Sequence, residues 1–114
     1  MTPTVLVVGE RSSGHLTSAT REAIGVARAL AGADGTLVGF LAGGALGPAV
    51  AEFGALGVPR VRTREDPSLD VVSVGAIAVG AGAAADAVSA SLIVVGGTAF
   101  GRNLTGRLVV RWNR

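Results

Sequence analysis

The sequence contains no cysteine and no lysine, and it has a single histidine. The lack of cysteine excludes a disulfide framework, a thiolate metal site and a thiol nucleophile. The lack of lysine excludes Schiff-base chemistry and a P-loop lysine. His15 has no second nitrogen or sulfur ligand with which to share a metal, so we expect an exposed loop histidine and no metal site. No catalytic constellation emerges from the residues, and we predict that the chain is not an enzyme.

Strong charge and long apolar runs are also missing. The formal net charge of +2 is too small to indicate a nucleic-acid partner. The two uncharged stretches, Gly35–Ala51 and Val71–Ala85, are interrupted by glycines, so neither predicts a membrane-spanning helix. Residues 1–4 lack the basic flank of a targeting signal. We therefore expect one cytoplasmic domain spanning residues 1–114, without a membrane or nucleic-acid partner.

The chain alternates short β-branched segments with helical ones. Strands are predicted at Thr4–Val8, Thr36–Leu41, Arg60–Thr63 and Leu92–Val95, and helices at about 18–30, 48–57, 71–88 and after Arg102. This alternation predicts right-handed crossovers and a three-layer Rossmann-like α/β fold with a parallel sheet. We expect the strand order 3-2-1-4, which places the switch point between the first and fourth strands.

Ligands of open α/β sheets bind in the crevice at such a switch point. We expect Gly9 and Glu10 to line one side of the crevice. The other side is expected to consist of the glycine-rich turn after the fourth strand, whose candidate binding residues are Gly96, Gly97, Thr98, Gly101 and Arg102. Unpaired N–H groups at the start of the last helix suit an anion there.

The same turn has a second interpretation. Its glycines would also let the last helix pack closely on the sheet, with no ligand involved. The spacing of Gly96 and Gly101 resembles a P-loop, but Arg102 and Asn103 occupy the places of the required Lys and Ser/Thr. We therefore reject NTP hydrolysis, and close packing and nucleotide or phosphate binding both remain open.

Two surfaces have unusual compositions. Arg60, Arg62 and Arg64 alternate along the third strand, as expected for an edge strand that resists aggregation. The third predicted helix has glycines in its interior and no charge between Val71 and Ala85. Such a helix is either loosely packed or covered by another subunit.

Several segments together carry a family resemblance. They are the turn Ala99-Phe100-Gly101-Arg102-Asn103-Leu104 with Arg107, the strand Val5–Val8 with its Gly9-Glu10 tip, the loop 14–20, and the helix end 27–32. The chain resembles the N-terminal domain of the electron transfer flavoprotein α subunit. That resemblance implies an adenine nucleotide alpha hydrolase-like version of the fold. It also implies electron transport, with a β-type subunit or a second copy of the chain as partner.

In the resembling family, FAD is held by a separate C-terminal domain whose motifs are missing from this sequence. We therefore expect a non-catalytic scaffold or docking domain, with FAD implied only by the resemblance. One alternative is a stand-alone module of the universal-stress type that binds an adenine nucleotide such as AMP. Another is a truncated gene product that folds without a function.

Overall fold

The computed structural model describes residues 3–70 and 74–112. The elements, in chain order, are β1 (Thr4–Val8), β2 (Arg11–Ser12), β3 (His15–Leu16), α1 (Ser18–Ala31), β4 (Thr36–Gly43), α2 (Gly47–Ala55), β5 (Val61–Glu65), a 3₁₀ helix (Pro67–Asp70), α3 (Val74–Ala87), β6 (Leu92–Val95) and α4 (Ala99–Trp112). No helix within these ranges is both long and apolar enough to cross a membrane.

Four strands form a parallel sheet in the order β5-β4-β1-β6. This order confirms the predicted 3-2-1-4 arrangement and the Rossmann-like three-layer fold. The central strand β1 is buried on both faces, as expected for a β-branched run in a parallel sheet. Its alternate residues enter two different cores because successive side chains of a strand point to opposite faces.

Helices α1 and α2 cover one face of the sheet. Val5 and Val7 of β1 pack there with Ile24 of α1 and with Phe53 of α2, which is fully buried. The phenyl ring of Phe53 lies so close to Gly9 and Gly39 that a Cβ added at either glycine would touch it. These two glycines therefore provide the space that the largest buried side chain requires.

Helices α3 and α4 cover the opposite face. Leu6 and Val8 of β1 pack there with Phe40 of β4, the alanines of α3 and Leu104 of α4. The phenyl ring of Phe40 approaches Gly80 of α3, where an added Cβ would lie 3.0 Å from Cζ. The small residues of α3 thus allow this helix to lie close to the sheet.

The ends of several elements differ from the prediction. Helix α4 begins at Ala99, before Arg102, because the Thr98 hydroxyl accepts the Gly101 N–H at 3.0 Å and the Thr98 carbonyl accepts the Arg102 N–H at 2.9 Å. Strand β5 is shifted to Val61–Glu65, and residues 71–73 of the third predicted helix lie outside the described residues. The antiparallel hairpin of β2 and β3 was not predicted, since two-residue strands carry no periodicity.

Candidate functional site

The tip of β1 is held in place by the first turn of α1. The backbone N–H of Glu10 donates to the hydroxyl oxygen of Thr20 at 2.9 Å, and that hydroxyl donates to the Glu10 carbonyl at 3.2 Å. The N–H of Thr17 donates to the same carbonyl at 2.9 Å. Because Thr20 is fully buried, these bonds satisfy a polar group inside the core. They also fix the position of the Glu10 backbone.

A cavity of about 200 Å³ opens beside this tip, at the carboxyl ends of β1 and β4. We call it the crevice cavity. Its walls come from six elements and the loops between them. The lining residues are Val8, Gly9, Glu10, Arg11, Phe40, Ala42, Leu69, Asp70, Ile77 and Phe100. Strand order predicts a crevice between β1 and β6. This cavity instead lies beside β1 and β4, and none of its lining residues belongs to β6. It opens on the side of the sheet that α3 and α4 cover.

An ion pair forms one wall of the crevice cavity. Arg11 donates to the Asp70 carboxylate at 2.8 Å and to the Gly44 carbonyl at 2.9 Å. Both carboxylate oxygens of Asp70 accept the Gly44 N–H at 3.2 Å. The Arg11 side chain is only 14% exposed. Its positive charge is therefore committed to Asp70 and a carbonyl, and the loops after β1, β4 and β5 are joined at this point.

Glu10 differs from Arg11 and Asp70 in the hydrogen bonding of its side chain. It lines the crevice cavity, and one of its carboxylate oxygens, Oε1, is buried with no hydrogen-bond partner among the described residues. A buried carboxylate oxygen without a donor is costly, since each lost hydrogen bond to a charged group carries a desolvation penalty. Glu10 is thus a lining residue of the cavity that carries one buried carboxylate oxygen without a described donor.

The glycine-rich turn lies apart from this cavity. Gly96 and Gly97 line a second groove, of about 180 Å³, between α1 and β6 on the other side of the sheet. Arg102 donates from its guanidinium to the Gly97 carbonyl at 2.9 Å, and Thr98 is engaged as the cap of α4. The structure therefore separates the seven predicted site residues into two groups: Gly9 and Glu10 line the crevice cavity, and the five residues of the turn do not. Phe100 is the residue of the turn region that lines this cavity.

Close packing accounts for two of the glycines in the turn. A Cβ added at Gly101 would overlap the Gly96 carbonyl oxygen, and one added at Gly96 would lie 3.0 Å from the Cβ of Ala19 in α1. Gly97 differs, because nothing lies within 4 Å of its added Cβ. Gly96 and Gly101 thus bring two helices close to β6, and Gly97 is the open position of the turn.

His15 lies exposed on β3, beside Glu52 of α2. Its Nδ1 lies 3.5 Å from the carboxylate of Glu52, which also accepts the Leu16 N–H at 2.9 Å and an Arg21 N–H at 2.8 Å. The Leu16 N–H is the main cause that holds the pKa of Glu52 below its ordinary value, with His15 and Arg21 adding to it. No group of His, Cys, Asp or Glu suited to a metal ion occurs among residues 3–70 and 74–112.

FAD is the cofactor that the family resemblance implies. The crevice cavity, at about 200 Å³, is smaller than the pockets of roughly 300–1,000 Å³ that usually hold cofactors and drug-sized ligands. The groove between α1 and β6, on the other side of the sheet, is smaller still. Neither cavity fits a molecule with the size of FAD.

Comparison with solved structures agrees with the class of fold. Protein Rv1636 from Mycobacterium tuberculosis H37Rv matches with a TM-score of 0.51 and 25% sequence identity, over 96% of this chain and 87% of that one. The shared architecture is the three-layer Rossmann-like, adenine nucleotide alpha hydrolase-like sheet described above.

Sequence comparison identifies the family. The family model described as "Electron transfer flavoprotein domain" matches residues 5–114. A curated relative, electron transfer flavoprotein subunit alpha from Bacillus subtilis (strain 168), is 30% identical over 107 residues, which are 94% of this chain and 33% of the relative. The chain therefore belongs to the electron transfer flavoprotein domain family. It spans about a third of the length of the curated relative that it matches.

Proposed function

We propose that this chain is an electron transfer flavoprotein α-subunit-like domain that serves as a non-catalytic scaffold in an electron-transfer system. Its proposed partner is a β-type subunit, with a second copy of the chain as the other candidate. The proposal treats residues 1–114 as one domain acting in the cytoplasm. FAD enters it through the family alone, since neither cavity described above fits that cofactor.

The observation that carries the proposal is an uncovered apolar surface at one edge of the sheet. We call it the β6 edge surface and define it by Val26, Leu30, Leu92 and Val94. Val26 is 54% exposed, Leu30 51% and Leu92 42%, and Val26 shares a groove with Val94. Exposed apolar side chains beside a strand edge that no described strand pairs are typical of protein–protein contact sites.

Helix α3 offers a competing surface. Ala76, Val79 and Ala83 are exposed along its outer face, with Val79 at 52%. Ala81, in contrast, is fully buried against the sheet and α4, so a charge placed there would test folding and not docking. Val79 is therefore the position that tests this face.

Co-expression with an affinity-tagged β-type subunit tests the proposal. We expect the chain to co-purify, and we expect the double variant Val26→Glu, Leu30→Glu to lose the partner while keeping its helical circular dichroism. Val79→Glu is the matched control on α3 and is expected to retain the partner. Failure of the parent chain to co-purify contradicts docking, and loss of the partner in Val79→Glu alone moves the interface to α3.

A second candidate function is adenine-nucleotide binding of the universal-stress type, with AMP as the ligand. It is supported by the open position at Gly97 beside the start of α4, where N–H groups and the Arg102 guanidinium favour an anion. The binding residues proposed for it are Gly9, Glu10, Gly96, Gly97, Thr98, Gly101 and Arg102. Titration with AMP tests it: Arg102→Ala is expected to weaken binding, and absence of binding by the parent chain ends this candidate.

A further inference from the structure

The walls of the crevice cavity are mainly apolar. Val8, Ala42, Leu69 and Ile77 contribute aliphatic surface, and the two phenylalanines at positions 40 and 100 contribute aromatic surface. Engineered protein cavities of about 150 Å³ admit benzene. The crevice cavity, at about 200 Å³, has room for one six-membered ring with a short substituent.

The charges of the cavity are not balanced. Glu10, Arg11 and Asp70 are its charged lining residues, and Arg11 is paired with Asp70 at 2.8 Å. Glu10 is left without a described partner for its buried oxygen Oε1. The cavity therefore has a formal excess of one negative charge, which lies on the side chain of Glu10.

From these two features we infer that the crevice cavity binds a small organic cation, in which a primary ammonium group or an amidinium is joined to a single ring. The nitrogen donates to the Glu10 carboxylate, and the ring lies against the apolar walls. Aromatic side chains add to the attraction of such a cation when they face it. The site goes beyond the scaffold function proposed above and does not depend on whether a partner subunit docks.

The same charges disfavour an anion in this cavity. A phosphate or carboxylate would face the unpaired Glu10 and would have to draw Arg11 away from both Asp70 and the Gly44 carbonyl. An anion has a better position at Gly97 and Arg102, which lie outside the cavity lining. Cation binding in the crevice and anion binding at the turn are therefore separable.

Three ring compounds of similar size test the inference: benzylamine, benzyl alcohol and benzoate. Each is titrated into the full chain and followed by heteronuclear NMR at the backbone amides of Gly9 and Glu10. We expect benzylamine to bind at least about tenfold more tightly than benzyl alcohol, the difference that a charge-assisted hydrogen bond gives, and benzoate to bind more weakly than either. Equal binding of all three, or no binding of benzylamine, overturns the inference.

Two variants and one control test whether benzylamine binds at Glu10 in the crevice cavity. Glu10→Gln keeps the size of the side chain and is expected to weaken benzylamine about tenfold while leaving benzyl alcohol unchanged. Glu22→Gln, at an exposed glutamate of α1 outside the cavity, is the control and should bind like the parent. Ala42→Leu fills the cavity while retaining Glu10 and should abolish binding. Unchanged affinity in both Glu10→Gln and Ala42→Leu overturns the assignment.

Discussion

At the scale of single residues, the contact between Gly101 and Gly96 determines how closely α4 approaches β6. Substitution Gly101→Ala would push a Cβ into the Gly96 carbonyl oxygen, and backbone atoms cannot move aside as a flexible side chain can. We expect the free energy of unfolding to fall by about 1–3 kcal/mol, the range for overpacked sites. Urea denaturation monitored by circular dichroism measures this difference.

Gly106 provides a matched control in the same helix. It is exposed, and nothing lies within 4 Å of its added Cβ. Alanine is favoured over glycine in helix interiors, so Gly106→Ala should raise the free energy of unfolding by roughly 0.5–1 kcal/mol. Equal effects of the two substitutions would show that helix propensity, and not the contact with Gly96, governs both positions.

A second prediction at this scale concerns Glu52 and acid. Its pKa is lowered in the folded protein, chiefly by the N–H of Leu16 and further by His15 and Arg21. A carboxyl with a lowered pKa stabilises the fold above its unfolded pKa, and this stabilisation is lost as the pH falls through the folded value. The parent chain should therefore be more stable than Glu52→Gln near neutrality, and the gap should close below the ordinary value of 4.5.

Urea midpoints measured between neutral pH and strong acid test this sign. Glu22→Gln serves as the comparison, because Glu22 is an exposed glutamate of the neighbouring α1. Its difference from the parent should stay small at every pH. A Glu52→Gln variant whose deficit persists unchanged in acid would mean that the amide disturbs packing, and that the charge of Glu52 contributes little.

At the scale of elements, the two edges of the sheet are built differently. The β5 edge carries exposed Arg62 and Arg64, which project beside Phe40 and α3. The β6 edge carries aliphatic residues instead. Charge on an open edge prevents strand-to-strand pairing between molecules. We therefore interpret β5 as an edge protected against strand pairing between molecules, and β6 as an edge that contacts a partner.

The double variant Arg62→Val, Arg64→Val tests this interpretation of β5. Removing both charges leaves a β-branched edge, and we expect the protein to self-associate in sedimentation velocity at concentrations where the parent does not. Arg62→Lys, Arg64→Lys is the control, since it keeps the charge and should sediment as the parent does. A valine variant with unchanged sedimentation would mean that the edge is protected by other features.

The sequence predicted the regular elements correctly where their hydrophobic pattern extended over several residues. The run Val5–Val8 lies in β1 as predicted, and the helix predicted at about 18–30 is α1, at Ser18–Ala31. The helix predicted after Arg102 begins earlier, at Ala99, because Thr98, a candidate binding residue, caps it with its hydroxyl. A hydroxyl in a turn serves either purpose, and sequence alone does not distinguish them.

At the scale of the whole molecule, only part of the candidate site could be predicted from the sequence, because some of its contacts join distant segments. Strand order predicts a crevice between β1 and β6. Of the residues named for it, Gly9 and Glu10 at the tip of β1 line the cavity that the structure forms beside β1 and β4. Arg11 and Asp70 are 59 positions apart, and nothing in their local sequence indicates that they pair. The turn residues and the tip of β1 were expected to share one crevice, but they open on opposite faces of the sheet.

The pairing of Arg11 with Asp70 gives the last prediction. It connects three loops that follow three different strands, with Gly44 bonded to both partners. Asp70 is partly exposed, so the ion pair itself stabilises the fold by less than about 1 kcal/mol. In Asp70→Ala we therefore expect a small change in the free energy of unfolding. The Gly44 amide, however, loses its acceptor, and its hydrogen exchange should become distinctly faster while the amides of β1 remain protected.

Asp34→Ala is the appropriate control, because Asp34 is exposed in the loop before β4, at the opposite end of that strand from Gly44. It should leave exchange at Gly44 unchanged. Unaltered protection of Gly44 in Asp70→Ala would show that the loops are held by their backbones alone. Faster exchange limited to these loops would instead mean that the Arg11–Asp70 pair holds the mouth of the crevice cavity in place while contributing little to global stability. A ligand would then be able to open the mouth without unfolding the sheet.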